Sequence, residues 1–155
     1  MKSIIFEIKS IVDNCRNNTV GGITTAIQLW NTSVIPFLYY GSECWMELKK
    51  EDLKILEKIT EEFMRKILKT SKTCPIIAMY SHLGFWLPEN KIMESKLRFL
   101  YHLEHVGEKA VSFRVLQEQK RLKMKGLYQE CRKFMSMLNL RERDLKTNTK
   151  ESWNR

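Results

Sequence analysis

The chain has 155 residues, 43% of them hydrophobic, with 27 Lys and Arg against 18 Asp and Glu for a formal charge of +9. A chain of this length buries roughly two-thirds of its unfolded surface, and its six Gly, three Pro and four Cys disfavour collagen-like, disordered and disulfide-scaffold classes. The excess of Lys and Arg points to polyanionic partners, either phosphate backbones or anionic lipid surfaces, without choosing between them.

Apolar residues recur at helical spacing along most of the chain. Ile4, Ile5, Ile8, Ile11 and Val12 predict a first helix, which residues 14–18 and Gly21-Gly22 break. A second is expected over residues 23–40, where Ala26, Leu29, Trp30, Ser33, Val34, Phe37 and Leu38 recur at three- and four-residue steps and Pro36 kinks or divides the helix. A third is expected over 51–69, with Glu51 and Asp52 at the positive end of its dipole and Arg65, Lys66 and Lys69 at the negative end. Its core stripe reads Leu53, Leu56, Ile59, Phe63, Met64, Ile67 and Leu68. Pro75 opens a short helix through Met79 and Tyr80 that Gly84 ends, and Pro88 opens another through Ile92, Met93, Leu97, Leu100 and Leu103. Two more fit residues 109–120 and 126–140. No strand-like alternation competes, so the expected fold is all-α, a compact bundle of about six to seven helices forming a single domain over residues 1–140, with a polar, frayed tail at 141–155.

Charge is distributed unevenly. The net balance runs from +1 over residues 1–50 to +2 over 51–100 and +6 over 101–155, and residues 17–42 contain no Asp, Glu, Lys or Arg. A membrane span wants about 20 mainly apolar residues, and Asn17, Asn18, Thr19, Thr24, Thr25, Gln28, Asn31, Thr32 and Ser33 interrupt this run. The expectation is a buried helix and no membrane partner. Glu7 and Lys9 break the apolar run Ile4, Ile5, Phe6, which argues against a secretory signal. Cys15, Cys44, Cys74 and Cys131 form no Cys-x-x-Cys pair and no zinc-knuckle spacing. Isolated thiols of this kind suit a reducing intracellular compartment, nuclear or cytoplasmic, rather than secretion. His102 and His105 share a helix face without a third ligand nearby, so they read as solvated histidines rather than a metal site. No motif calls for a cofactor.

Several phrases together resemble a known family. Gly21-Gly22, Ala26, Leu29-Trp30, Ile35-Pro36, Leu38, Tyr40, Gly41, Glu43 and Trp45 are followed in order by Leu56-Glu57, Phe63-Met64-Arg65-Lys66-Ile67-Leu68, Cys74-Pro75 and Leu83-Gly84. Ile92 with Lys96-Leu97, Glu118-Gln119, Gly126-Leu127 and Glu130-Cys131 complete the series. From about residue 3 to 140 the chain resembles the C-terminal region of non-LTR (LINE-type) retrotransposon reverse transcriptases. The resemblance implies a helical thumb or post-thumb segment, the part that follows the catalytic palm and lies against template and primer. The family's RNA-directed DNA polymerase chemistry rests on a Tyr/Phe-Ala-Asp-Asp box, because two-metal nucleotidyl transfer needs converging carboxylates that hold the ions about 4 Å apart. This chain has three Asp, at positions 13, 52 and 144, none adjacent to another. It also lacks the Cys/His knuckle and the paired-acid endonuclease motif found in some members. No catalytic residue transfers, and the expectation is a non-catalytic fragment.

Basic residues supply the candidate contacts. Lys54, Lys58, Arg65 and Lys69 fall within roughly 60° of one another at about 100° per residue, opposite much of the apolar stripe. That face suits a phosphate backbone, or an ordinary solvated surface in which Glu61 pairs with Arg65 and Glu62 with Lys66. Lys96 falls at an angle shared with Ile92, Leu100 and Leu103, so it either snorkels or emerges at an inter-helix groove that receives phosphate. The densest run is Lys120-Arg121-Leu122-Lys123-Met124-Lys125, with Arg132 and Lys133 one to two turns on. It reads as an electrostatic footprint, a weak nuclear-targeting signal or a charged loop. Among the aromatic residues Trp30, Phe37, Tyr39, Tyr40 and Trp45, periodicity favours core packing. Tyr39 and Tyr40 cannot both face one core, so one of them supplies an exposed ring for base stacking. The expected partners are RNA, DNA or an RNA/DNA hybrid held non-specifically through phosphates. The alternative is a helical protein-interaction domain that packs on a polymerase core or another partner without touching nucleic acid.

Overall fold

The computed structural model describes residues 20–140 apart from Glu47, and among these residues it contains six helices and no strand. The fold is all-α. The expected first helix over residues 4–12 and the tail after 140 lie outside the described residues. The described residues divide into two compact units, one formed by 20–40 with Leu48–Glu89 and the other by 41–46 with 90–140. No helix among the described residues is long and apolar enough to cross a membrane.

In the first unit, α1 begins as Val20–Leu29, widens into a π-helical turn over Trp30–Val34 and finishes as Ile35–Leu38. Pro36 is the cause. It has no N–H to offer the carbonyl four residues back, and its ring crowds that carbonyl, so the helix must yield just ahead of it. The chain accommodates it by adding a residue to the turn, and the Ile35 N–H reaches back to the Trp30 carbonyl. The expected kink is thus taken up as a wide turn. Ala26, Trp30 and Val34 are buried at four-residue spacing, whereas Phe37, expected on the same stripe, is 62% exposed.

Helix α2, Lys50–Leu68, has Glu51 and Asp52 in its first turn and Arg65 and Lys66 in its last, each sign opposite to the adjacent dipole end. It buries Thr60, Phe63, Met64 and Ile67, and the Thr60 hydroxyl is spent on the Leu56 carbonyl at 2.9 Å. The indole of Trp30 stacks on Phe63 with ring centres 3.9 Å apart, and Phe85 lies nearly parallel to both at 6.2 to 6.3 Å. Ala26, Val34 and Ile67 surround that stack. Helix α3, Ile76–Leu83, follows Pro75 as its cap and stops at Gly84 in the left-handed conformation, as the sequence predicts. Met64, Met79 and Tyr80 form a second cluster beside it.

The second unit contains most of α4, Pro88–His105, then α5, Val111–Leu122, and α6, Leu127–Met137. Leu97 and Leu100 of α4, Leu116 of α5, and Cys131 and Met135 of α6 make its core. Lys123 ends α5 at φ 51°, and Gly126 in extended backbone leads into α6. Helix α6 stops three residues short of the expected end at 140, because Asn139 turns left-handed and the Leu140 N–H reaches back to Met135 at 2.9 Å. Lys69, Lys123 and Asn139 are the non-glycine residues with positive φ among the described residues, and all three lie at helix ends.

Candidate nucleic-acid interface

The basic residues singled out from the sequence divide into those consumed by the protein and those left to solvent. On α2, Lys54 and Lys58 are exposed on the side opposite Thr60 and Phe63. Arg65 starts from the same side but turns back on its own chain. Its Nε bonds Glu61 at 2.7 Å, its Nη2 donates to the Cys74 carbonyl at 3.2 Å, and its Nη1 donates to the Ser71 carbonyl. Arg65 is therefore a staple for the loop that joins α2 to α3, not a free phosphate contact. Lys69 is exposed, but at φ 52° it has left the helix, so the helical angle that grouped it with Lys54 and Lys58 does not hold at that position.

Lys96 corrects the sequence reading most sharply. It neither snorkels nor opens into a groove: its side chain is 3% exposed and its Nζ meets the Glu130 carboxylate of α6 at 2.5 Å. A buried ammonium needs such a partner, because removing a charge from water costs far more than apolar contacts return. Next to this pair sits Cys131, whose thiol is pushed up to about 12, mainly by burial, with Lys96 opposing the shift and Glu130 adding to it.

The cluster at 120–133 is split in the same way. Lys120 pairs with Glu104 of α4, whose side chain is 9% exposed, and its Nζ lies 4.9 Å from the centre of the Tyr128 ring. Arg121 bonds Glu118 three residues back at 2.8 Å in a pair open to solvent. Lys123, Lys125, Arg132 and Lys133 are exposed and form no ion pair with a described residue. Residues 111–140 hold seven basic and two acidic side chains, and both acids, Glu118 and Glu130, are already matched to cations. The positive potential of this stretch thus rests on these four residues together with Arg114, which is likewise exposed and in no ion pair with a described residue.

The two tyrosines separate cleanly. Tyr39 is buried, and burial raises its phenol well above the ordinary range, with Tyr80 adding to the shift and the Thr60 hydroxyl opposing it. It is a core residue and not a stacking platform. Tyr40 is 86% exposed. His102 and His105 are both exposed, and His105 lies on the Tyr101 ring at 4.1 Å with its Nδ1 against the Tyr101 carbonyl.

The residues that sequence reasoning missed are acids. Glu104 and Glu130 decide the fate of Lys120 and Lys96 from 16 and 34 residues away. No local spacing announces such a pairing. Glu118 stands three residues from Arg121, a spacing at which side chains on a helix meet. The chain matches no family model, no curated protein and no solved structure.

Proposed function

We propose that this chain is a non-catalytic helical module of the non-LTR reverse transcriptase type, holding RNA, DNA or an RNA/DNA hybrid through the phosphate backbone. The observation that carries the reading is the set of four exposed cations clustered at Lys123, Lys125, Arg132 and Lys133, left over once the two acids of residues 111–140 have been matched. Lysine and arginine side chains of this kind neutralise phosphates and release counterions without reading bases, so the expected binding is sequence-independent. On the first unit, Lys54, Lys58 and Lys69 are exposed cations of the same kind, and the exposed ring of Tyr40 offers a surface on which a base stacks. With no adjacent aspartates in the chain, the two-metal chemistry of the family's polymerase core is assigned to a different part of such an enzyme. The free thiols at Cys44 and Cys74 fit a reducing nuclear or cytoplasmic setting.

A second reading is a helical protein-interaction domain that packs on a polymerase core without contacting nucleic acid. The exposure of Phe37, Ile77 and Trp86 on the first unit, at 62%, 81% and 65%, favours it. Titration of a labelled RNA/DNA hybrid with the full chain at several salt concentrations separates the two. The nucleic-acid reading expects affinity that falls steeply with salt, and a slope in log salt reduced by about 3 when all four cations become glutamine. Absence of salt-sensitive binding at micromolar protein overturns it.

A further inference from the structure

Helix α5 is apolar on two opposite sides. Leu116 is buried in the core of the second unit, Lys120 one turn on reaches Glu104 of α4, and Phe113 is half-buried. Val111, Val115 and Leu122 are 74%, 50% and 55% exposed. At about 100° per residue these three fall within roughly 40° of one another, on the side away from Leu116. With Glu118 they follow a four-three-four spacing, the step of a helix–helix seam. Singly exposed apolar residues are ordinary on a protein surface, but three on one line along the whole of a twelve-residue helix are a face.

The charges around this face select what covers it. Arg114 and Arg121 border the same side of the stripe, and Arg121 already neutralises Glu118 within it. The opposite border, Ser112 and Gln119, is uncharged. A second copy is a poor occupant. In an antiparallel pair Arg114 and Arg121 of one copy meet Arg121 and Arg114 of the other, in a parallel pair they meet only Ser112 and Gln119, and each copy carries a charge of +9. An acidic helix reverses both terms, because carboxylates beside its seam reach the two arginines.

We infer that the outer face of α5 is a docking surface for an amphipathic helix of a protein partner, with apolar residues at three- and four-residue spacing and carboxylates along the border that meets Arg114 and Arg121. This surface does not depend on the phosphate contacts proposed above, since its anchors are Val111, Val115 and Leu122.

The test uses the full chain and two labelled helical peptides of about four heptads, both with leucine at the seam. One carries glutamate at the flanking positions, which also keeps it from pairing with itself, and the other carries lysine. Fluorescence anisotropy is expected to show the glutamate peptide binding at least about tenfold tighter than the lysine peptide. Val115→Glu is expected to weaken the glutamate peptide by about tenfold or more, the loss that accompanies one unburied valine. Val111→Asp does the same at the first turn of α5, where a carboxylate suits the helix dipole and keeps the fold, as circular dichroism would verify. Both variants retain binding to the RNA/DNA hybrid. Failure of the glutamate peptide to bind, or equal binding by the valine variants, overturns the inference. So does loss of hybrid binding in those variants without loss of the peptide, which assigns the face to nucleic acid. A wild-type dimer in sedimentation that Val115→Glu dissociates overturns it in favour of self-pairing.

Discussion

Around Trp30 the first unit buries ring against ring, with Phe63 and Phe85 nearly parallel to the indole and Ala26, Val34 and Ile67 closing the sides. Around Lys96 the second unit buries a charge, held by Glu130 beside the Cys131 thiol, and repeats the device with Lys120 and Glu104. Both solutions join helices, but they fail differently. An aromatic stack loses stability in proportion to the volume removed and is tolerant of orientation. An ion pair loses little when both partners are replaced by well-packed apolar groups and much when one is left behind. The second unit therefore uses some of its cations internally, and its count of Lys and Arg overstates how many it offers to a partner.

The largest effect is expected from breaking the stack. Trp30→Ala removes the central ring and is expected to cost about 3–5 kcal/mol, read as a lowered midpoint in denaturant unfolding. A loss below about 1 kcal/mol would mean that the three rings do not organise the unit. The second unit is tested by a pair of changes. Lys96→Met alone removes the buried cation that faces Glu130 and is expected to cost about 2 kcal/mol, less than for a fully enclosed pair because the carboxylate side chain is 25% exposed. Adding Glu130→Leu is expected to recover most of that loss, within about 1 kcal/mol of the starting protein. If the double variant is instead as unstable as the single one, the pair contributes more than mutual neutralisation.

Much of the fold is legible in the sequence because its punctuation is conventional. Pro75, Gly84 and Pro88 place the ends of α3 and the start of α4, and the stripe through Phe63, Met64 and Ile67 fixes the inward face of α2. Where punctuation is missing, the boundaries slip. The expected helix over 109–120 runs instead over Val111–Leu122, since its stop is Lys123 in a conformation usually left to glycine. The candidate interface is less legible. Helical angle alone groups Lys54, Lys58, Arg65 and Lys69, but Arg65 has a better offer from the Ser71 and Cys74 carbonyls. Tyr39 and Tyr40 are one residue apart, so periodicity requires that they diverge, while packing decides which is buried. The outer stripe of α5 was present in the sequence as Val111, Val115 and Leu122, and only the burial of Leu116 on the far side shows it to be a separate face.

The finest comparison uses a feature that the units share. Lys69 ends α2 and Lys123 ends α5, each left-handed with φ near 50°. In both, the following residue's N–H reaches back five residues, Thr70 to the Arg65 carbonyl and Met124 to Gln119, both at 3.2 Å. A side chain at such a position costs about 1 kcal/mol relative to glycine. Lys69→Gly and Lys123→Gly are therefore each expected to stabilise the protein by about 0.5–1 kcal/mol, somewhat less where the lysine charge favours the negative end of the helix. Their effects on binding should part company. Lys123→Gly removes one of the four cations that carry the proposed interface and should lower the salt slope for an RNA/DNA hybrid by about 0.7–0.9. Lys69→Gly should change it less, since Lys69 is no longer aligned with the helical face of Lys54 and Lys58. Equal slopes in the two variants would mean that phosphate contact does not concentrate on the second unit, even where the stability measurements agree.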